Sequence, residues 1–128
     1  MARDEETPRD YDREYTSSVG QRVRRRMGYS HTSGHVTRFV VQLEYQLEDG
    51  EWAAVVRSDH DPESKHGHNV AEEGVHLDVY RDGEKLRSEE LFPSMQPSEA
   101  LTYAEDHIAM HAKRYVKRFE EWHEIRTQ

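Results

Sequence analysis

Cysteine is absent from the 128 residues, which removes disulfides, thiolate nucleophiles and cysteine-ligated zinc together. Lysine is scarce: 4 stand beside 14 arginines, against 17 glutamates and 9 aspartates, and the formal net charge is −8. Hydrophobic residues make up 34% of the chain and charged residues another 34%. An ordinary soluble domain holds about 45–50% apolar and about 25% charged residues. No window approaches the ~20 consecutive apolar residues of a membrane helix. Met1–Asp10 has no apolar centre of the kind a secretory signal carries. Glycine never falls into a dinucleotide- or phosphate-loop spacing. These absences point to a soluble, cytoplasmic protein with room for one domain. Its acid excess and few lysines match the halophile-like pattern that keeps a surface hydrated in strong salt.

Two compositions divide the chain. Residues 1–34 are polar, with isolated apolar residues, recurring Gly, Ser and Thr, and a basic block at Arg22-Val23-Arg24-Arg25-Arg26. Such a segment has little apolar surface to bury and reads as a flexible charged N-terminal arm, with Val19–Met27 compatible with a short helix. Residues 35–128 read as a single α+β domain.

Phe39, Val41, Leu43, Tyr45 and Leu47 alternate with polar or smaller residues, and Trp52, Ala54 and Val56 alternate again after Asp49-Gly50. Period two marks strands, and Asp-Gly between alternating runs marks a tight hairpin whose turn residues take positive φ. A two-residue turn would pair Leu47 with Trp52, Tyr45 with Ala54 and Leu43 with Val56 on one apolar face. A second hairpin turns at Asp82-Gly83, after Val75, Leu77 and Val79. The same turn there places Val79 opposite Leu86, Tyr80 opposite Lys85, Asp78 opposite Arg87 and His76 opposite Glu89. Facing opposite charges add ~0.2–1 kcal/mol each. After Pro93 and Pro97, with Ser98 as N-cap, Leu101, Ala104, Ile108, Ala112, Tyr115, Phe119 and Trp122 recur at helical spacing. The expected fold is therefore two-layer α+β: a four-stranded antiparallel sheet of two hairpins packed against one long C-terminal amphipathic helix.

The stretch from Asp59 to Asp78 is the richest in reactive side chains, with His60, His66, His68 and His76 beside Asp59, Asp61 and Asp78. It contains a loop of roughly 14–16 residues, longer than the ~2–6 usual between strands. Imidazole and carboxylate together suit proton transfer near neutral pH. Under that reading Arg57 steadies a phosphate, His68 or His76 acts as base or acid, and Asp78 orients an imidazole. Asp59, His66 and His68 would instead suit a divalent metal, although their spacing matches no standard zinc pattern. A solvated polar loop is the plainer alternative.

The sheet face away from the helix is the second candidate. It would carry Gln42, Glu44, Arg57, His76 and Asp78, with Val40, Val55 and Tyr80, together with the basic flank of the helix, as an interaction or dimer surface. Arg24, Arg25 and Arg26, and Arg114 and Lys117 on the helix, are candidate phosphate contacts. Residues 35–97 hold 14 acidic against 6 basic residues, which repels nucleic acid there. His107 and His111 stand at i, i+4, without the glutamate that would complete a helical zinc motif.

The run from Trp52 to His60, then Gly67-His68-Asn69-Val70, and above all Gly74-Val75-His76-Leu77-Asp78-Val79-Tyr80-Arg81-Asp82-Gly83-Glu84-Lys85, resembles an uncharacterised small α+β domain family of halophilic archaea and some bacteria. That resemblance spans most of 36–123 and implies a domain without an activity. An Arg-x-Asp strand before a His-rich loop is also loosely similar to toxins of prokaryotic toxin–antitoxin pairs, in which the His-rich segment is suspected of ribonuclease work. Here the histidines are spread over 60–76 among acidic residues, a departure from that pattern. The expectation is a toxin–antitoxin-type module that binds or cleaves RNA through its open sheet face and His-rich loop, without a cofactor and without membrane contact. A protein-interaction or dimerisation module, with an antitoxin, another protein or a second copy as partner, is the alternative. A divalent-metal-binding protein is the third.

Overall fold

The computed structural model describes residues 11–65 and 67–123. Their order is β1 (Arg13–Gly20), β2 (Val23–Thr32), β3 (His35–Gln46), β4 (Trp52–His60), α1 (Val70–Glu73), β5 (Val75–Arg81), β6 (Glu84–Phe92) and α2 (Pro97–Trp122). The strands form one antiparallel meander in the order β1-β2-β3-β4-β5-β6, and α2 lies across one face, chiefly over β3 and then β4 and β5. The two-layer α+β architecture expected from periodicity is present, with six strands where four were expected.

The extra pair comes from the segment read as an arm. Val23, Met27 and Tyr29 lie opposite Tyr45, Val41 and Phe39, so β2 extends the apolar face of β3. Arg22 (φ 65°), Ser33 (φ 52°) and Gly34 (φ 81°) supply the left-handed turn positions. The period of two is present in β2, but Arg25 stands in the apolar row itself, opposite Leu43, and breaks it. Val19–Met27 is accordingly turn and strand, not helix.

Asp49-Gly50 and Asp82-Gly83 turn the chain differently. At the second, Asp82 (φ 54°) and Gly83 (φ 79°) are both left-handed, as a two-residue turn requires. At the first only Gly50 is (φ 91°), and the Leu47 N–H donates to the Glu51 carbonyl at 2.8 Å. The loop is one residue longer than expected, and the register moves. Tyr45 pairs with Ala53 and Gln46 with Trp52; a bulge then restores Leu43 opposite Val56. In the second hairpin Tyr80 faces Lys85 as expected. A bulge beyond it puts Val79 opposite Arg87, Asp78 opposite Ser88 and His76 opposite Glu90. Leu86 is left 46% exposed.

Phe39, Val41, Leu43 and Tyr45 from β3, Val56 from β4 and Leu77 and Val79 from β5 meet Ala104, Ile108, Tyr115 and Phe119 of α2, all buried. Burying a side chain of this size is worth about 1.5–3 kcal/mol. The helix starts at Pro97 with Gln96, not Ser98, in the cap position. That suits proline, whose missing N–H would be unpaired there in any case.

Gly74 joins α1 to β5 at φ 92°, and a Cβ there would stand 2.6 Å from the Phe92 carbonyl oxygen. Gly74→Ala should therefore destabilise the fold by about 1–3 kcal/mol, read as a lower urea midpoint. An unchanged midpoint would contradict this account of the junction.

Candidate functional site

The β4–β5 ladder is short, pairing Val56 with Val79 and Arg57 with Asp78. Leu77 and Val79 face the core, so Asp78 and its partner Arg57 occupy the open face. The loop after β4 returns to that face. His60 ends β4 pointing inward, 4% exposed, with Nδ1 accepting the Val70 N–H at 3.1 Å, and burial lowers its basicity. The Asp61 N–H then donates to the His68 carbonyl at 2.8 Å. Gly67 permits that approach, since a Cβ there would lie 2.5 Å from the Asp61 carbonyl oxygen. Asn69 caps α1 by accepting the Ala71 N–H at 3.1 Å.

This path suspends His68 above the sheet between carboxylates. Its Nδ1 lies 3.0 Å from Glu73 Oε1, and its Nε2 lies 3.0 and 3.2 Å from the two oxygens of Asp78. Asp78, 2% exposed, also accepts from Ser88 Oγ at 2.8 Å and pairs with Lys85 Nζ at 3.3 Å. Asp59 completes the group: its ligand oxygen, Asp78's and a His68 nitrogen lie within 4.8 Å of one another. His76 stacks on His68, ring centroids 5.0 Å apart, and it forms a second such triad with His68 and Glu73. Its Nδ1 is 3.3 Å from the Gly74 carbonyl, and its Nε2 has no hydrogen-bond partner among the described residues.

The protonation states follow from this geometry. The hydrogen bond to Asp78 is the main reason that the His68 pKa is pushed up to about 9, with Glu73 adding to it against the opposing effect of burial. His68 is thus an imidazolium at neutral pH, with both N–H groups committed to carboxylates. Burial raises Asp59 to about 6, against the pull of His68 and Arg57. Burial works in the same sense on Asp78, yet hydrogen bonds from His68 and Ser88 hold it below the usual carboxylate range. Two carboxylates a few ångströms apart are driven in opposite directions, a pattern concentrated at functional sites.

The structure brings together four of the expected residues, Asp59, His68, His76 and Asp78, with Arg57 alongside. Arg57 is committed sideways: its Nε donates to Gln42 Oε1 at 2.7 Å and its guanidinium lies 5.3 Å from the Tyr80 ring centroid. The metal candidate His66 lies outside the described residues. Glu73, Lys85 and Ser88 join the site without having been marked by the sequence. Ser88 reaches Asp78 only because of the bulge in β6, while Glu73 follows His68 by five residues through a capped turn that local periodicity does not mark.

The expected phosphate contacts separate into two groups. Arg24 and Arg26 share Glu44, at 2.6 and 3.3 Å, and Arg25 is 3.9 Å from Glu105. Arg114 and Lys117 lie exposed on α2, across the sheet from His68. Val55, expected in an exposed interaction patch, is 2% exposed at the β4 bulge. His107 and His111 have ring centroids 4.4 Å apart but belong to no three-donor group among the described residues.

A family model described as a domain of unknown function, DUF7718, matches residues 3–125. The chain belongs to this family. The match runs through β1 and β2 as well as the strands read from the sequence, so the family's domain includes the segment that composition set apart. No curated protein and no solved structure matches the chain. No helix among the described residues is long and apolar enough to cross a membrane.

The two raised groups make stability fall with pH in two steps. Asp59 titrates near 3.8 unfolded and about 6 folded, so its contribution is complete below about 4 and lost by about 6. His68 titrates near 6.5 unfolded and about 9 folded, so its contribution is complete below about 6.5 and lost as pH climbs through 9. His68→Gln should flatten the alkaline step, on the order of 2–3 kcal/mol, and Asp59→Asn the acid one. Urea midpoints from pH 4 to 10 check this; an alkaline step surviving in His68→Gln refutes the doubly bonded imidazolium.

Proposed function

We propose that this DUF7718 protein binds a divalent transition-metal ion through Asp59, His68 and Asp78. The observation that carries the reading is the convergence of these three donors within 4.8 Å, with both carboxylates withdrawn from water. Carboxylates so placed need a cation. His68 serves as that cation when protonated; a metal ion would replace its Nε2 proton and satisfy both aspartates together. Glu73 at Nδ1 already holds the ring as a metal-ligating histidine is usually held, by a carboxylate on the other nitrogen. Three protein ligands would leave positions for water or substrate, the arrangement of a reactive rather than a purely structural centre. Lys85, 40% exposed at its side chain, would turn outward from Asp78.

Titration calorimetry with Zn²⁺ or Mn²⁺ at pH 7.5 should find one site per chain, and a heat that changes with buffer because His68 releases a proton. His68→Ala and Asp78→Asn should each weaken binding at least tenfold, in protein whose circular dichroism is unchanged. Absence of binding at micromolar metal, or binding indifferent to both substitutions, would end this reading.

A second reading is favoured by the Nε2 of His76, which has no hydrogen-bond partner among the described residues. Here the site cleaves RNA without metal, as expected of a toxin-type module, with RNA as substrate and an antitoxin-like protein or second copy as partner. His76, not the doubly committed His68, would take the proton, and Asp59 would return one. Incubation with total RNA in the presence of EDTA should then show cleavage that His76→Ala removes; cleavage absent, or retained by the variant, sinks it.

A further inference from the structure

Away from the His68 cluster, one row of side chains runs along the flank of α2 beside β6. Tyr103, His107, His111, Arg114, Arg118 and Trp122 follow one another at steps of three or four residues, so they share one side of the helix. At 1.5 Å per residue the row covers about 28 Å. Tyr103 meets the end of β6: its hydroxyl is 3.5 Å from the Leu91 carbonyl and its ring centroid 5.2 Å from that of Phe92. At the other end the Arg81 guanidinium lies 5.2 Å from the Trp122 ring centroid.

Between these ends, Arg114 and Arg118 stand in the row with half-exposed rings on either side and lie over the edge of the buried Tyr115. Arg114 and Arg118 lie 5.1 and 5.2 Å from the Tyr115 centroid, and Arg118 is also 5.0 Å from that of Trp122. His107 Nε2 meets the Tyr115 hydroxyl at 2.8 Å. Arg87 of β6 faces the same row and is paired with Glu89 at 2.8 Å. No carboxylate pairs with Arg81, Arg114 or Arg118 among the described residues, and the buried Nε of Arg118 has no hydrogen-bond partner. Burial, reinforced by repulsion from Arg87 and opposed by the pull of Glu89, makes Arg118 a weaker base than usual. The open face is the opposite case, since Arg24 and Arg26 are both matched to Glu44.

We infer that the flank of α2 facing β6 binds single-stranded nucleic acid, phosphates meeting Arg81, Arg114 and Arg118 and bases stacking on the half-exposed rings to either side of them, His107 and His111 before and Trp122 after. Cations flanked by accessible rings suit this ligand: the cations follow the backbone, and any base offers a flat face to an exposed ring. An acidic polypeptide would use the cations and leave the rings idle.

The test uses the full chain and fluorescein-labelled mixed-sequence 12-mers of RNA and DNA, followed by anisotropy in 50 mM salt. Both strands should bind, and the tighter one identifies the sugar preferred. Arg114→Ala/Arg118→Ala should weaken binding at least tenfold and flatten the log–log salt slope by about 1.4, at about 0.7 for each phosphate no longer neutralised. Trp122→Ala should weaken it severalfold, with recovery in Trp122→Phe. Arg13→Ala on β1 and Asp78→Asn in the metal cluster should leave binding unchanged, which separates this site from the metal site. No binding at 100 µM protein, full binding by the double variant, or displacement by polyglutamate as effective as by unlabelled RNA would each overturn the inference.

Discussion

Strand β3 turns Phe39, Val41, Leu43 and Tyr45 toward α2, and between them it turns Gln42 and Glu44 toward the other face, where both are only 5% exposed. One strand is thus withdrawn from water on both sides, by an apolar layer on one and by polar side chains on the other. The apolar side supplies most of the favourable free energy, because it is here that helix and sheet exclude water from each other. The polar side is tolerable only because every group in it is answered. Glu44 accepts from Gln42, Arg24 and Arg26, and Gln42 in turn accepts from Arg57. A buried carboxylate left without those donors would be far more costly. β2 therefore supplies the cations that let Glu44 sit where it does, as well as lengthening the sheet.

The His68 cluster obeys the same constraint a few residues away. The short β4–β5 ladder leaves room beside Asp59 and Asp78, and the loop returns an imidazole to fill it. Asp78 is satisfied by His68, Ser88 and Lys85, while Asp59 is left with weaker compensation and titrates high. The difference between the two sites is mobility of the cation. At Glu44 the guanidinium groups come from a paired strand; at Asp59 and Asp78 the charge is chiefly a proton on a loop histidine, with Lys85 beside Asp78. A polar face built mainly for stability thus ends in one place where its charge balance rests on a titratable group.

Charge also explains why the two sides of the molecule differ. Overall the chain carries a formal charge of −8. The open-face arginines are absorbed by neighbouring acids, so the side of the sheet that carries Arg24 and Arg26 has little positive charge to offer a phosphate. Among the described residues Arg81, Arg114 and Arg118 beside β6 lie against rings and form no ion pair, with Glu89, already paired with Arg87, as the nearby acid. Net charge is silent on this, since it counts groups without regard to what stands next to them.

Much of the fold was legible in the residues themselves. The alternation in β3, the positive-φ turn at Asp82-Gly83 and the apolar spacing from Leu101 to Trp122 follow from backbone geometry, which repeats every two residues in a strand and every 3.6 in a helix. The dense His and Asp stretch was legible as a candidate site because its chemistry lies in residue type. Register was not: Asp49-Gly50 fits two turn lengths, and bulges at Leu43/Glu44 and Val79/Tyr80 moved partners by one residue. Nor was the strand character of 13–32, whose apolar face is too thin to stand out until β3 lies beside it. Local periodicity thus determined β3, β5 and the long helix, and residue type marked the loop that holds the candidate site. Only the tertiary structure decided that Glu73 and Asp78 grip the same imidazole, and that one set of arginines is neutralised while the other is not, because those facts depend on distances between residues far apart in the chain.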